Sequence, residues 1–122
     1  MQQPKEAEIQ LLHAQICQAL ADPTRILLLY QLAEGPKSVG ELASALNSSQ
    51  PTVSRHLKVL RERGMANTER FGATVMYSLS DPRVIEALDL MRSVLADFLG
   101  QQSALAETLR AARQPTPTLH EE

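Results

Sequence analysis

The amino-acid sequence predicts a mainly α fold of the α+β class, five helices with one two-stranded β-hairpin between the fourth and the fifth. Three observations carry this. Apolar side chains recur at helical spacing through most of the first 63 residues and again from residue 84. Capping and stop residues cut that pattern into short pieces. Only between residues 65 and 80 does the period change to the alternation of a strand.

The elements follow in order. A first helix is expected over 7–20, where Ile9, Leu12, Ile16, Ala19 and Leu20 share a face. Asp22-Pro23 reads as an N-cap followed by proline at the first helical position, and it opens a second helix over 23–33 that Gly35-Pro36 stops. Ser38-Val39-Gly40-Glu41 has capping-box spacing and opens a short third helix over 38–46. Asn47-Ser48-Ser49 is turn chemistry. A fourth helix is expected over 50–63, with Pro51 in its first turn and Gly64 just past its end. Strands at 66–70 and 74–79 flank Phe71-Gly72-Ala73, and Val75, Tyr77 and Leu79 alternate on one face. Asp81-Pro82 repeats the cap-plus-proline signature. The long helix behind it carries Val84, Leu88, Met91, Leu95, Phe98, Gln102, Leu105 and Leu109 at 4-3 spacing. One domain over 1–112 is expected, followed by a disordered acidic tail over 113–122.

Composition narrows the function. The 122 residues, 43% of them hydrophobic, suffice for one core. No apolar run approaches the roughly 18 residues that span a bilayer, and Met1–Glu6 lacks a signal-peptide core, so a soluble cytoplasmic protein is expected. With Cys17 as the single cysteine, no intrachain disulfide can form. The element order leaves no room for a sheet carrying a nucleotide site, and no nucleophilic triad, phosphate loop or carboxylate pair stands at informative spacing. The chain is therefore not expected to be an enzyme, and no cofactor is expected. Net charge is −2, yet residues 37–80 carry Lys37, Arg55, Lys58, Arg61, Arg63 and Arg70 against Glu41, Glu62 and Glu69, a net of +3 between acidic flanks. A basic middle of this kind is a modest footprint for a polyanion.

The fourth helix sharpens that footprint. Val53, Leu57 and Leu60 fall on one stripe and should pack inward, leaving Pro51, Arg55, Lys58 and Glu62 opposite, flanked by Thr52 and Ser54. An amide from Gln50, hydroxyls and two cations suit a helix in the major groove, where Gln reads adenine and Arg reads guanine. The same residue types also make an ordinary solvated helix face. Arg70 beside Gly72 at the hairpin tip adds a basic group that could reach the adjacent backbone or minor groove, the alternative being an ordinary surface hairpin with Phe71 packed back onto the core.

Three stretches together carry a resemblance: Ala21–Leu29, Ser38–Ala43, and Ser49–Leu60 with its Ser49-Gln50-Pro51-Thr52-Val53-Ser54-Arg55-His56-Leu57-Lys58 run. In order and spacing they resemble the ArsR/SmtB family of bacterial winged-helix repressors, and Arg70-Phe71-Gly72 with Val75–Leu79 resembles that family's wing. The resemblance covers about residues 20–100. It implies a winged helix-turn-helix, dimerised through its first and last helices, that regulates transcription by binding a pseudo-palindromic operator in double-stranded DNA. The candidate DNA-binding set is Ser49, Gln50, Thr52, Ser54, Arg55, His56, Lys58, Arg70 and Gly72. His56 matches the family's motif histidine. By the helical wheel it sits at the edge of the buried stripe, as a packing or hydrogen-bonding residue or a phosphate contact.

The family's usual sensors imply ligands that can be checked. No cysteine pair stands near Val39–Leu42, and Arg83, Val94 and Asp97 occupy positions where His, His and Glu would bind a metal beside Asp81. No metal site is expected. His13 and Cys17, spaced i, i+4, are the only weak candidates. Room is left for a small-molecule inducer that the residues do not identify. The wide apolar surfaces of the first and last helices point to a homodimer, with Ile9, Leu12, Ile16, Leu88, Met91, Leu95 and Phe98 as its expected interface. Two alternatives stay open: an architectural DNA-binding protein of low specificity, and a winged-helix module that binds protein.

Overall fold

The computed structural model describes residues 2–113. The acidic tail expected over 113–122 lies outside the described residues from position 114 on. The chain divides into two compact units, one running to Ile85 and the other beginning at Glu86.

In the first unit the order is α1 (Glu6–Leu12), a π-helical turn (His13–Cys17), a 3-10 turn (Ala19–Ala21), α2 (Pro23–Ala33), β1 (Lys37–Ser38), α3 (Val39–Leu46), α4 (Gln50–Glu62), β2 (Ala66–Phe71) and β3 (Thr74–Leu79). Helix α5 (Arg83–Arg113) begins at the end of this unit and makes up the described part of the second.

The expected boundaries hold because local chemistry sets them. The Asp22 carboxylate accepts from the Thr24 N–H at 2.8 Å, with Pro23 in the first turn of α2. Ser38 and Glu41 form a reciprocal capping box: the Glu41 N–H donates to Ser38 Oγ and the Ser38 N–H to Glu41 Oε1. Asn47 ends α3 with φ 52°, a left-handed conformation that asparagine accepts more readily than other non-glycine residues.

Two features differ from the sequence reading. The first helix is not one regular helix over 7–20: its α-helical part stops at Leu12, and π and 3-10 turns follow. The reason is tertiary. The carbonyls of Ala14, Gln18 and Ala19 accept from guanidinium groups of Arg63 and Arg25, on other elements, which disturbs the i→i−4 ladder. The sheet also has three strands, not two, in the order β1-β3-β2. Lys37 pairs with Tyr77 and Ser38 with Met76, placing β3 at the centre. A two-residue strand after Pro36 has no period to read.

The core of this unit is built from Leu28, Leu29 and Leu32 of α2, Leu42 and Ala43 of α3, Val53, Leu57 and Leu60 of α4, and Met65 and Ala66 at the start of β2, all buried. α2, α3 and α4 pack on one another, and α2 also packs on β3 and α4 on β2. Burying each of the large aliphatics contributes about 1.5–3 kcal/mol, so the inward stripe of α4 fixes the rotation of that helix. β2 and β3 pair in register from Ala66–Leu79 to Phe71–Thr74, and Gly72 turns the hairpin with φ 64°. A left-handed φ there is cheap for glycine and costly for a branched side chain.

The described part of the second unit is one long helix. Leu90, Met91, Val94, Leu95, Phe98, Leu99, Leu105 and Leu109 are each more than half exposed along it. Met91, Val94, Leu95 and Phe98 line a shallow apolar hollow of about 430 Å3. Among the described residues no helix is long and apolar enough to cross a membrane.

At the entrance to α5 the Asp81 carboxylate accepts from the Arg83 N–H at 2.9 Å and from its guanidinium at 2.7 Å. The guanidinium, then the backbone N–H, hold the Asp81 carboxyl down at a pKa of about 2. A depressed carboxylate stabilises the fold above its unfolded pKa, and this contribution disappears as pH falls through the folded value. The melting temperature should therefore drop between about pH 4 and pH 2, and Asp81→Asn should flatten that part of the profile. Thermal melts of both chains across this range check it.

Candidate nucleic-acid interface

Helix α4 presents the outward face that its buried stripe dictates. Val53, Leu57 and Leu60 are fully buried, whereas Gln50, Ser54, Arg55 and Lys58 are exposed and Thr52 is half-buried. The Gln50 amide lies against the first turn of α3: a Cβ on Gly40 would stand 3.5 Å from Gln50 Nε2. Arg70, Phe71 and Gly72 are exposed at the hairpin tip, and Phe71 is not packed back on the core.

Ser49 has a structural task. It is the N-cap of α4, accepting from the Thr52 N–H at 3.3 Å while its hydroxyl donates to Thr52 Oγ1 at 2.9 Å. Two members of the expected set are thus bonded to each other at the start of the helix.

His56 faces inward. Its Nδ1 lies within hydrogen-bond distance of Arg25 Nη1, at 3.3 Å. Arg25 also donates through Nε to the Ala19 carbonyl at 2.7 Å and through Nη2 to the Gln18 carbonyl at 3.1 Å. One side chain of α2 thereby ties the end of the N-terminal helical segment to α4. Asp22 stands beside this group. Burial pushes its carboxyl up, but donation from the Thr24 N–H and the nearby His56 and Arg25 outweigh that and hold it below the usual value.

The arginines around α4 divide into two kinds. Arg25 and Arg63 are engaged by backbone carbonyls. Arg55 and Arg61 form no ion pair among the described residues. Lys58 meets Glu62 at 3.9 Å, both largely exposed, a contact of little strength. Pro51, Ser54, Arg55, Lys58 and Arg61 of α4 together with Tyr77 of β3 line an open concavity of about 510 Å3. Sequence reasoning passed over two of these. Arg61 could have been found as a cation three residues after Lys58. Tyr77 gave no signal, because only the sheet brings it to α4.

The sensor candidates lie elsewhere. Among the described residues no three His, Cys, Asp or Glu side chains are grouped closely enough to hold a metal ion. His13 Nε2 lies 3.5 Å from the Gln18 amide, and Cys17 is an exposed free thiol. Asp81 is ion-paired with Arg83. Of the expected interface residues, Ile9, Leu12, Met91, Leu95 and Phe98 are exposed and Ile16 is half-buried, but Leu88 is 7% exposed in the single chain and offers a partner little surface.

A buried three-helix core, a helix-turn-helix with an outward polar and basic helix, and a hairpin beside it define a winged helix-turn-helix protein. Comparison with known proteins narrows the class. Residues 22–68 match the model of the bacterial regulatory protein, arsR family. The chain is 38% identical over 106 residues to the HTH-type transcriptional regulator Rv0081 of Mycobacterium tuberculosis, covering 86% of this chain and 93% of that one. It is 42% identical over 78 residues to the HTH-type transcriptional repressor SmtB of the same species, covering 64% of this chain and 58% of SmtB, less than two thirds of that relative. The crystal structure of Rv0081 superposes with a TM-score of 0.70 at 34% identity, over 82% of this chain and 99% of that one. The homodimeric winged helix-turn-helix DNA-binding domain of Mb0332 from Mycobacterium bovis, solved in solution, gives 0.68 at 26% identity, over 83% and 95%. The chain belongs to the ArsR family of bacterial regulatory proteins.

The division between bonded and free groups is measurable. Ser49→Ala should cost about 1 kcal/mol of stability, as N-cap losses do, whereas Arg55→Ala should stay within about 0.5 kcal/mol of the parent. Urea denaturation of the two variants checks this.

Proposed function

We propose that this protein is a transcriptional regulator, acting as a repressor, that binds a pseudo-palindromic operator in double-stranded DNA as a homodimer. The observation that carries the reading is the outward face of α4. Its opposite face is locked into the core, so Gln50, Ser54, Arg55 and Lys58 are held outward on a rigid element. In a major groove Gln50 can bond adenine and Arg55 can bond guanine bidentately, while Ser54 and Lys58 serve bases or phosphates. Arg70 and Gly72 at the hairpin tip reach the neighbouring groove or backbone. Ser49 and Thr52 hold the N-terminal turn of the reading helix in shape, and His56 sets its seat through Arg25. The name of the relative SmtB, a transcriptional repressor, supports the sign of regulation. The reading is of a DNA-binding protein, not of an enzyme, and it requires no cofactor.

The exposed apolar side chains of α5 support the dimer. With several leucines and Phe98 more than half exposed on one helix, a second copy would cover surface worth about 1.5–3 kcal/mol per fully buried residue. Twofold symmetry would set two α4 helices about one DNA turn apart. The wild-type chain should run at twice the chain mass in light scattering, and the pair Leu95→Glu and Phe98→Glu should run at the monomer mass.

Fluorescence anisotropy tests the main reading. At about 150 mM salt the chain should prefer the duplex upstream of its own gene over a shuffled duplex by about a thousandfold, and Arg55→Ala should remove that preference. Equal, salt-sensitive binding to both duplexes would support an architectural protein of low specificity. No binding to either would support a protein-interaction module.

A further inference from the structure

We propose that the concavity between α4 and β3 is the seat of one sugar-phosphate strand, and that Arg61 and Tyr77 are phosphate-contacting residues. The proposal deepens the DNA-binding reading above and rests on it.

Dimensions decide what each part of α4 can touch. At 1.5 Å per residue its 13 residues are about 20 Å long, longer than the roughly 12 Å width of the major groove. If the N-terminal turns enter the groove, Gln50 to Arg55 lie within about 8 Å along the axis and can meet base edges. Arg61 lies about 16 Å along, beyond the groove mouth, where the duplex presents phosphates. The hairpin imposes a second condition. A helix in one groove and a wing tip in the next must straddle the sugar-phosphate ridge that separates the two grooves. The hollow between the helix and β3 is the space such a ridge would occupy.

The lining suits that occupant. Arg55, Lys58 and Arg61 provide three cations, and Ser54 and Tyr77 provide two hydroxyls. Among the described residues the side chains of Arg61 and Tyr77 make no hydrogen bond or ion pair, so both retain donors for an anion. Tyr77 is well placed to be held still. It sits on the central strand, paired with Lys37 on one side and Thr68 on the other. A donor fixed on the sheet and another fixed on the helix set the spacing between reading helix and wing.

The test is binding of the full-length chain to two duplexes of about 30 base pairs, room for two half-sites one turn apart. One duplex carries the upstream sequence and the other is shuffled, and both are titrated across a range of salt. Arg61→Gln should weaken both duplexes by the same factor, about tenfold. It should also flatten the plot of log affinity against log salt by about 0.9 per copy, or about 1.8 per dimer. Tyr77→Phe, which keeps the ring and the sheet pairing, should weaken both by about fivefold without changing that slope. Gln50→Ala, a base-reading change, should instead lower the preference for the upstream duplex and leave the slope alone. If wild type binds and Arg61→Gln changes neither affinity nor slope, the seat is wrong while the regulator stands. Loss confined to the upstream duplex would make Arg61 a base reader and overturn the seat as well. A wild-type chain that binds neither duplex removes both readings.

Discussion

Everything distinctive about this molecule depends on the burial of Val53, Leu57 and Leu60. These three residues lie on one stripe of α4 and are fully enclosed by the core. A helix has one rotational degree of freedom about its axis, and this stripe removes it. The identity of every outward residue then follows from position: what is not on the stripe, at 100° per residue, faces solvent or flanks it. The Ser49 cap fixes where the helix starts, and the Arg25–His56 contact pins its middle against α2. Rotation, start and seat are thus set by groups that never need to meet a ligand.

The same economy governs the basic residues. The sequence offers Arg25, Arg55, Lys58, Arg61 and Arg63 near the helix-turn-helix, five side chains of like charge. Arg25 and Arg63 point their guanidinium groups at backbone carbonyls of the N-terminal segment and so act as tethers. Arg55 and Arg61 are left without protein partners among the described residues. A count of positive charge treats all five alike. Geometry separates those that hold the scaffold from those free to meet an anion, and only the second kind should change a salt dependence.

Most of the fold was legible because local chemistry sets it. Asp22-Pro23, the Ser38–Glu41 capping box, Asn47 and the glycine-tipped hairpin act within a few residues, and each element they bound stands where the sequence put it. What escaped was long-range. The first helix breaks at Leu12 under constraints from Arg25 and Arg63, one of them 49 residues away from its acceptor. β1 exists only because β3 lies beside it. The site divides in the same way. The outward face of α4 could be read from the wheel. Tyr77 joins it only through sheet pairing, and His56 turns inward because Arg25 is there to meet it.

The overall acidity of the chain is consistent with a polyanion-binding face, and it helps such a face to be selective. A net charge of −2 spread over the molecule repels DNA weakly from most directions, while the middle segment carries +3. At physiological salt the screening length is about 8 Å, so an approaching duplex responds to the nearest surface, not to the sum. The cations on the outward face of α4 therefore count for more at close range than the net charge of the chain. Non-specific affinity arises from phosphate neutralisation, and a chain with few free cations has little of it to offer. In the proposed regulator, discrimination between sequences would then come from the few groups that meet base edges, Gln50 and Arg55 foremost, with the phosphate contacts setting their register.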